Sequence, residues 1–599
     1  MATLQQLFKQ TRIVFHNAIA DISILEENLG IPYEAYTHIE DTMLAHAVLW
    51  SELPHDLEFL ASLYGEHGKF KHLRFTDELL YNFGDIVDTA SLWAALSSSL
   101  KSDPGAERVY RGQSLRLLPV LLRARQQGIR VNKQRVAELW NEYVPIINNI
   151  TKLASRCVGY PFNLNSGPAL KDYLYKGCGY PIQTDRKTKQ TSSNDDAIAL
   201  LRRTVSEPFD PDKQITWDTD DDTHYGILGR IARGADPILE CRVLYVECFH
   251  VINNYILGLC KGVYGERKAD RRRGRDKYWQ SGCIRPDDIV DRVYPNFGTH
   301  AQKTGRWSTT NPALAQLPAE LRDIVCPDQG TCWVSWDWSA IEPRLLQALT
   351  LSHLLKRVFD EQLDLHTWTV CYMFNWEFPF NLVDPHGDPV CEGWRVKYNW
   401  KGKDDPRRVF AKAGRYEMWY GGQGNNAVAS AAQYGLEPRQ LKSALQRLLT
   451  SDPHYYQWRV KIEGLIKQTS MVRTFMGRPR RFLSQGNARI REGINQPMQG
   501  GVSDIFNTTI VELARAYPAL QWMWGMHDSQ KWQIALPGAT VEVLEGIRRI
   551  VERTHDVQGN ITKFPCDMEV ILPPEHANRH LKPKEWSLLT TLGGPDGHQ

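Results

Sequence analysis

TCWVSWDWSAIEPRLLQALT, residues 331–350, changes its period part-way along. Residues 331–337 read as a buried strand rich in Trp and Val, and helical spacing follows from about Ile341. Asp337 falls where the strand ends, a position from which a carboxylate leaves the sheet and faces a cleft. A second stretch, LQWMWGMHDSQKWQIAL (520–536), reads as strand, tight turn, strand, with His527 and Asp528 at the turn. Two strand-end aspartates brought together can share divalent cations. Mg2+ suits such a sparse site, since it takes one or two carboxylates and completes its shell with substrate phosphates and water. Either Asp alone could simply support its turn, so the pair needs company to carry a function.

That company lies between them. RRVFAKAGRYEMWYGGQG (407–424) spaces Arg408, Lys412, Tyr416 and Tyr420 four residues apart, which lines them along one helix face. Arg, Lys and two phenols in a row suit neither a core nor a plain solvated face. They do suit a nucleoside triphosphate: the guanidinium forks onto phosphate oxygens, the ammonium acts as a point charge, and the rings meet base and sugar. Gly421, Gly422 and Gly424 then end the helix. No Lys-Ser/Thr follows them, so they read as a turn rather than a phosphate-cradling loop.

The rest of the chain sets bounds. At 599 residues it is too long for one core and predicts three or four units of ordinary domain size. With 24% charged and 42% hydrophobic residues, a folded protein is expected rather than a disordered one. A formal net charge of +3 does not announce a nucleic-acid binder, so local clusters must carry that case. The 11 cysteines include no CxxC pair and no Cys/His zinc spacing. Cys241, Cys248 and Cys260 fall in an apolar helical stretch and read as buried free thiols of a reducing, cytoplasmic compartment. No apolar run is long enough to span a bilayer, and MATLQQLFKQTRIVF lacks the order of a signal peptide.

Upstream, LRLLPVLLRARQQGIRVN (115–132) predicts a helix ending near Gly128, then an extended segment. Helical patterns continue to about 265, interrupted by an Asp-rich loop at about 209–224. ERKADRRRGRDK (266–277) gathers seven basic residues, either a solvated face or a phosphate contact.

The three chemical segments resemble motifs A, B and C of family A (DNA polymerase I-like) DNA polymerases. Asp337, Ser339, Ile341, Glu342 and Arg344 match the Asp-x-Ser-x-Ile-Glu-x-Arg pattern; Arg408, Lys412, Tyr416, Tyr420 and Gly421 match motif B; His527, Asp528 and Ser529 stand at the His-Asp-Glu of motif C. TGRWSTTNPALAQLP (304–318) and REGINQPMQG (491–500) resemble two further family segments, and FNLNSG (162–167) with 115–132 resembles the start of a thumb. The resemblance implies a multidomain α/β right hand. Its thumb and the start of the polymerase domain span about 111–290, and palm and fingers span 291–599, with the fingers at about 351–499.

It further implies template-directed extension of a primer with dNTPs, with two Mg2+ ions (Mn2+ able to substitute) held by Asp337 and Asp528. Arg408, Lys412, Tyr416, Glu342 and His366 would bind dNTP, Lys412 also protonating the leaving pyrophosphate and Glu342 gating against a 2′-hydroxyl. Arg306, Tyr420, Arg491, Asn495, Gln499 and His527 would line the primer–template junction. Two departures stand out. Ser529 replaces the usual acidic residue of motif C, and a longer span at 375–406, readable as a solvated loop, separates His366 from Arg408.

The front, about 1–110, resembles part of an RNase H-like (DnaQ-like) 3′–5′ exonuclease. HNAIADISIL (16–25) supplies Asn17 and Asp21, YNFGDIVDT (81–89) supplies Tyr81 and Asp85, and EDTMLAHAVL (40–49) fits the link between them. No Asp-x-Glu precedes Asn17. Two of four metal-holding carboxylates are therefore missing, and a structural role is the favoured expectation. A bacterial or phage source, a monomer and no membrane contact are expected, with a processivity factor or a separately encoded exonuclease segment left open. Two rivals remain at this point. A single-subunit RNA polymerase would have to admit a ribose past Glu342, and a non-enzymatic DNA-binding scaffold would not need Asp337, Lys412 and Asp528 together.

Overall fold

A computed structural model describes residues 2–65, 71–185, 188–205, 235–266, 268–298, 301–377, 396–398, 400, 405–422, 424–432, 437–450, 452–526 and 528–592. The Asp-rich loop expected at 209–224, most of the 375–406 span and His527 fall outside them. By internal packing the chain divides into two units, one of residues 1–128, 294–316 and 327–599, the other of 129–293 and 317–326.

The larger unit is built on the period change seen in 331–350. Strand β1 (Thr331–Trp338) runs into helix α1 (Ile341–Thr350). Helices α2 (Leu365–Phe374), α3 (Pro406–Trp419) and α4 (Gly486–Ala516) follow, then strands β2 (Gln521–Met526), β3 (Ser529–Ala535), β4 (Cys566–Ile571) and β5 (His580–Leu581). The five strands form one sheet in the order β2-β3-β1-β4-β5, antiparallel throughout. Alternation along β1 sorts its tryptophans. Trp333 meets Trp524 edge to face at 4.9 Å, and Lys531 lies 5.6 Å from both ring centres. Trp336 and Trp338 face the opposite side, where Trp532 and Phe506 of α4 pack against them. Gly525 admits that helix: a Cβ there would stand 2.2 Å from the Phe506 ring.

The front of this unit pairs two short parallel strands, Arg12–Phe15 and His38–Asp41, with helices Ala18–Leu29, Thr42–Leu49 and Glu78–Lys101 around them. Ile22, Leu44, Leu60, Leu92 and Leu96 form its core. Carboxylates of this segment hold cations that lie far along the chain. Asp103 accepts from Arg473 at 2.8 and 2.9 Å and from Arg481 at 3.0 Å. Glu52 accepts from Lys303 at 2.6 Å and from Arg480 at 2.7 Å. Behind them, Asp504 of α4, fully buried, takes hydrogen bonds from Arg478 and Thr474, and Arg478 also donates to Gln113 at 2.8 Å.

The smaller unit packs helices Lys133–Val158 and Pro237–Val251 together, with strand Ile129–Val131 between Arg292–Val293 and Val325–Cys326. Cys241, Cys248 and Cys260 are buried and free, as their apolar setting predicted. The basic run lies on helix Lys268–Ser281, with Arg271, Arg272 and Arg273 exposed.

Candidate active site

Asp337, next to last in β1, is exposed at the sheet end. Asp528 lies in the turn between β2 and β3, and its carbonyl accepts the Trp338 N–H at 3.2 Å, which draws the turn against the end of β1. The two motif aspartates are thus brought together. Burial pushes the Asp528 carboxyl up to about 7, the Glu342 and Asp337 carboxylates adding to the rise and Arg306 opposing it. Its Oδ1 is buried without a hydrogen-bond partner. A buried carboxylate short of donors and crowded by like charge fits a hard divalent cation, which takes oxygen ligands and supplies the missing positive charge. Among the described residues, no three His, Cys, Asp or Glu side chains gather as a ready-made metal cage. A cation here would therefore take most of its ligands from substrate and water. The Ser529 hydroxyl is spent within the hairpin, donating to Met526 O at 2.9 Å.

Glu342, in the first turn of α1 and 9% exposed, is held from two sides by the Arg306 guanidinium and the Tyr420 hydroxyl. Gln499 also meets that hydroxyl. The end of α3 reaches α4 because Gly421 has φ +78° and passes within 3.0 Å (measured from an added Cβ) of the Arg491 Cα. Any side chain would be strained there and would collide. Arg491, Asn495 and Gln499 sit four residues apart on α4, the first exposed and the others half-buried. Arg306, Tyr420, Glu342 and the α4 stripe, singled out separately in the sequence, are therefore one connected surface.

On α3, Lys412 is exposed and Arg408 half-buried. Arg408 donates twice to Asp364, at 3.1 and 3.3 Å. Burial alone would raise Asp364, but this guanidinium and the Thr367 N–H hold it below the usual carboxylate range. Asp364 was not among the residues read from sequence. An Asp directly before an apolar helix signals an N-cap, and it does cap α2. Its bond to Arg408 is a tertiary fact. His366 is pushed down to about 3, first by burial and then by Arg415, so it is neutral at physiological pH, with its ring 6.3 Å from that of Tyr416. Burial, and the carboxylate of Glu342, push the Tyr416 phenol up to about 12, so it remains a donor.

The family model for DNA polymerase family A matches residues 270–385, the stretch holding Arg306, Asp337, Glu342 and His366. The thermostable DNA polymerase I of Thermus thermophilus is 25% identical over 448 residues, covering 72% of this chain and 44% of that protein. DNA polymerase I of Chloroflexus aurantiacus is 23% identical, covering 84% and 48%. The fold matches a solved structure described as the POL domain of Pol1 from M. smegmatis in complex with DNA primer-template and dNTP, with TM-score 0.68, 16% identity, and 96% and 88% of the two chains covered. The chain is thus similar to DNA polymerase family A, by the family model over residues 270–385 and by these relatives over most of its length. It spans about half the length of the curated relatives it matches. The polymerase right hand expected from the motifs is accordingly its fold.

The front of the chain places its four singled-out residues in two groups. Asn17, with φ 71°, precedes helix Ala18–Leu29, and Asp21 sits in its first turn, where burial and Asp41 push it up to about 6. Tyr81 and Asp85 lie half-buried on helix Glu78–Lys101. Asp41, unremarked in the sequence, joins the two strands to their helices by accepting from Ala18 N at 2.7 Å and Leu44 N at 2.9 Å.

Proposed function

We propose that the chain is a template-directed DNA polymerase that extends a primer 3′-end with dNTPs and releases pyrophosphate, in replication or repair. The observation that carries this is the meeting of Asp337 and Asp528 beside a Glu342 held by Arg306 and Tyr420. Asp337 and Asp528 would hold the divalent pair, Mg2+ or Mn2+, which when bound activates the primer 3′-hydroxyl and neutralises the triphosphate. Arg408 and Lys412 grip the phosphates, and Lys412, exposed and cationic, gives its proton to the leaving group. Arg408 must exchange Asp364 for phosphate as it does so. Glu342 stands where a ribose 2′-hydroxyl would come, which favours deoxynucleotides over the RNA polymerase reading. His527 and the α4 stripe are assigned to primer and template. Residues 1–110 are read as the partial exonuclease, 111–290 as thumb and start of the polymerase domain, 291–599 as palm and fingers. Among the described residues no helix is long and apolar enough to cross a membrane. Primer extension with Mg2+, dNTPs against rNTPs, tests the proposal. Absence of extension, or equal use of both sugars, overturns it.

Two expectations follow from particular residues. Tyr416 should give weak discrimination against dideoxynucleotides. Its protonated phenol can occupy the place of a missing 3′-hydroxyl and satisfy the polar groups around it. A polar gap left unsatisfied beside Phe costs about 1–3 kcal/mol, so Tyr416→Phe should reject ddNTP roughly tenfold to a hundredfold more strongly. The ratio of kcat/KM for dNTP and ddNTP opposite one template base measures this. An unchanged ratio means that Tyr416 is not at the sugar.

Efficient proofreading should also be lacking in the chain. Asp21 and Asp85 offer too few oxygen ligands for two cations. Labelled single-stranded DNA incubated with Mg2+ and no dNTP should stay intact. Robust 3′-end degradation that disappears in Asp85→Ala contradicts that reading.

A further inference from the structure

Register across the sheet gives Asp337 two lateral partners. On one side β3 places Ser529 opposite it, and on the other β4 places Asp567 opposite it. Directly opposed residues of an antiparallel pair share a face, with Cβ atoms roughly 4.5–5.5 Å apart. Asp337 and Asp567 are both exposed at this end of the sheet. Ser529, where family members carry an acid, offers no charge, and its hydroxyl is committed to the hairpin. Asp567 accepts from the Ser339 hydroxyl at 3.3 Å, so its carboxylate is held beside the loop that follows Asp337. The next carboxylate along β4, Glu569, is occupied by Lys582 at 2.9 Å and His580 at 3.2 Å, which leaves Asp567 as the acid of that strand beside Asp337. Across the turn, the buried Oδ1 of Asp528 lacks a partner.

We propose that Asp567 is the third acidic group of the cation site, displaced across β1 from the position that Ser529 occupies. The inference rests on the reading of Asp337 and Asp528 as the metal pair. Because the described side chains do not close a three-carboxylate cage, Asp567 is a positioning residue. It accepts hydrogen bonds from water on a cation held by Asp337 and contributes negative potential to that place. Outer partners of this kind commonly change metal affinity by about 10–100-fold.

The test is Mn2+ binding to the full chain without DNA or nucleotide, followed by the free-ion EPR signal. Asp567→Asn should raise the Kd for Mn2+ about tenfold and shift half-saturating Mg2+ for single-nucleotide incorporation upward by a similar factor, with kcat at saturating Mg2+ little changed. Asp567→Glu should bind as wild type, and Ser529→Glu added to Asp567→Asn should restore most of the affinity. Asp567→Asn binding Mn2+ within twofold of wild type, while Asp337→Ala weakens it, overturns the proposal. Weakened binding that neither Asp567→Glu nor Ser529→Glu repairs marks a structural role and overturns it equally. Normal Mn2+ binding by Asp337→Ala would instead overturn the reading of the metal pair.

Discussion

Asp337→Ala and Asp528→Ala should each abolish primer extension, by roughly a thousandfold or more, while primer–template binding stays within a few-fold of wild type. The scale follows from the loss of Lewis-acid stabilisation worth several kcal/mol in the transition state. Binding should survive because the surface assigned to DNA is carried by other residues: Arg306, Tyr420, and Arg491, Asn495 and Gln499 of α4. The two variants should differ in stability. Asp528 is largely buried, with an orphaned oxygen and a carboxyl driven up to about 7, so Asp528→Ala relieves a desolvated acid. Asp337 is exposed, and its removal should leave the thermal transition almost where it was. Single-turnover incorporation and fluorescence anisotropy with labelled primer–template separate the two effects. Near-normal extension by either variant would remove the metal assignment.

Asp504→Ala should be the most destabilising single change considered. Its carboxylate is fully buried and holds the Arg478 guanidinium, itself 7% exposed, at 2.7 Å together with the Thr474 hydroxyl. Removing one partner of a buried pair leaves the other charge uncompensated, at a cost of about 3–5 kcal/mol. Arg478 would retain the Gln113 oxygen at 2.8 Å, which cannot neutralise it. A fall of about 5–10 °C in the main thermal transition is expected, and Asp504→Asn should fall less because it keeps an acceptor. Calorimetry of the three proteins checks this. If Asp504→Ala melts within a degree of wild type, the pair is not a keystone of the α4 packing.

The sequence made the five-stranded sheet around Asp337 readable because its signals were local. Alternation along 331–338 and the helix from Ile341 were both visible, and the turn at Asp528 was bracketed by two runs of apolar residues. Lys412, Tyr416 and Tyr420 were legible from four-residue spacing alone. What could not be read was set by pairing between distant segments. Asp364 looked like a helix cap and is one, yet its other bond crosses to Arg408, 44 residues on. Asp567 carried no motif, and only the strand register sets it opposite Asp337, 230 positions earlier. Glu342, Arg306 and Tyr420 were each identified, but nothing in a linear pattern says that two of them grip the third.

The ion pairs of Asp103 and Glu52 bear on how the molecule can be dissected. A fragment trimmed to begin near residue 111 would keep Arg473, Arg480, Arg481 and Lys303 and discard the two carboxylates they share. Arg480 also reaches Glu492, the neighbour of Arg491 on the helix assigned to DNA, so the damage would travel to that surface. Arg481 would lose its carboxylate in half-buried surroundings, where an unmatched charge is costlier than at an open surface. Whatever chemistry the front keeps or has lost, it is the counter-ion reservoir of its neighbour, and a minimal fragment cut from this chain would need Asp103 and Glu52 restored or those cations replaced.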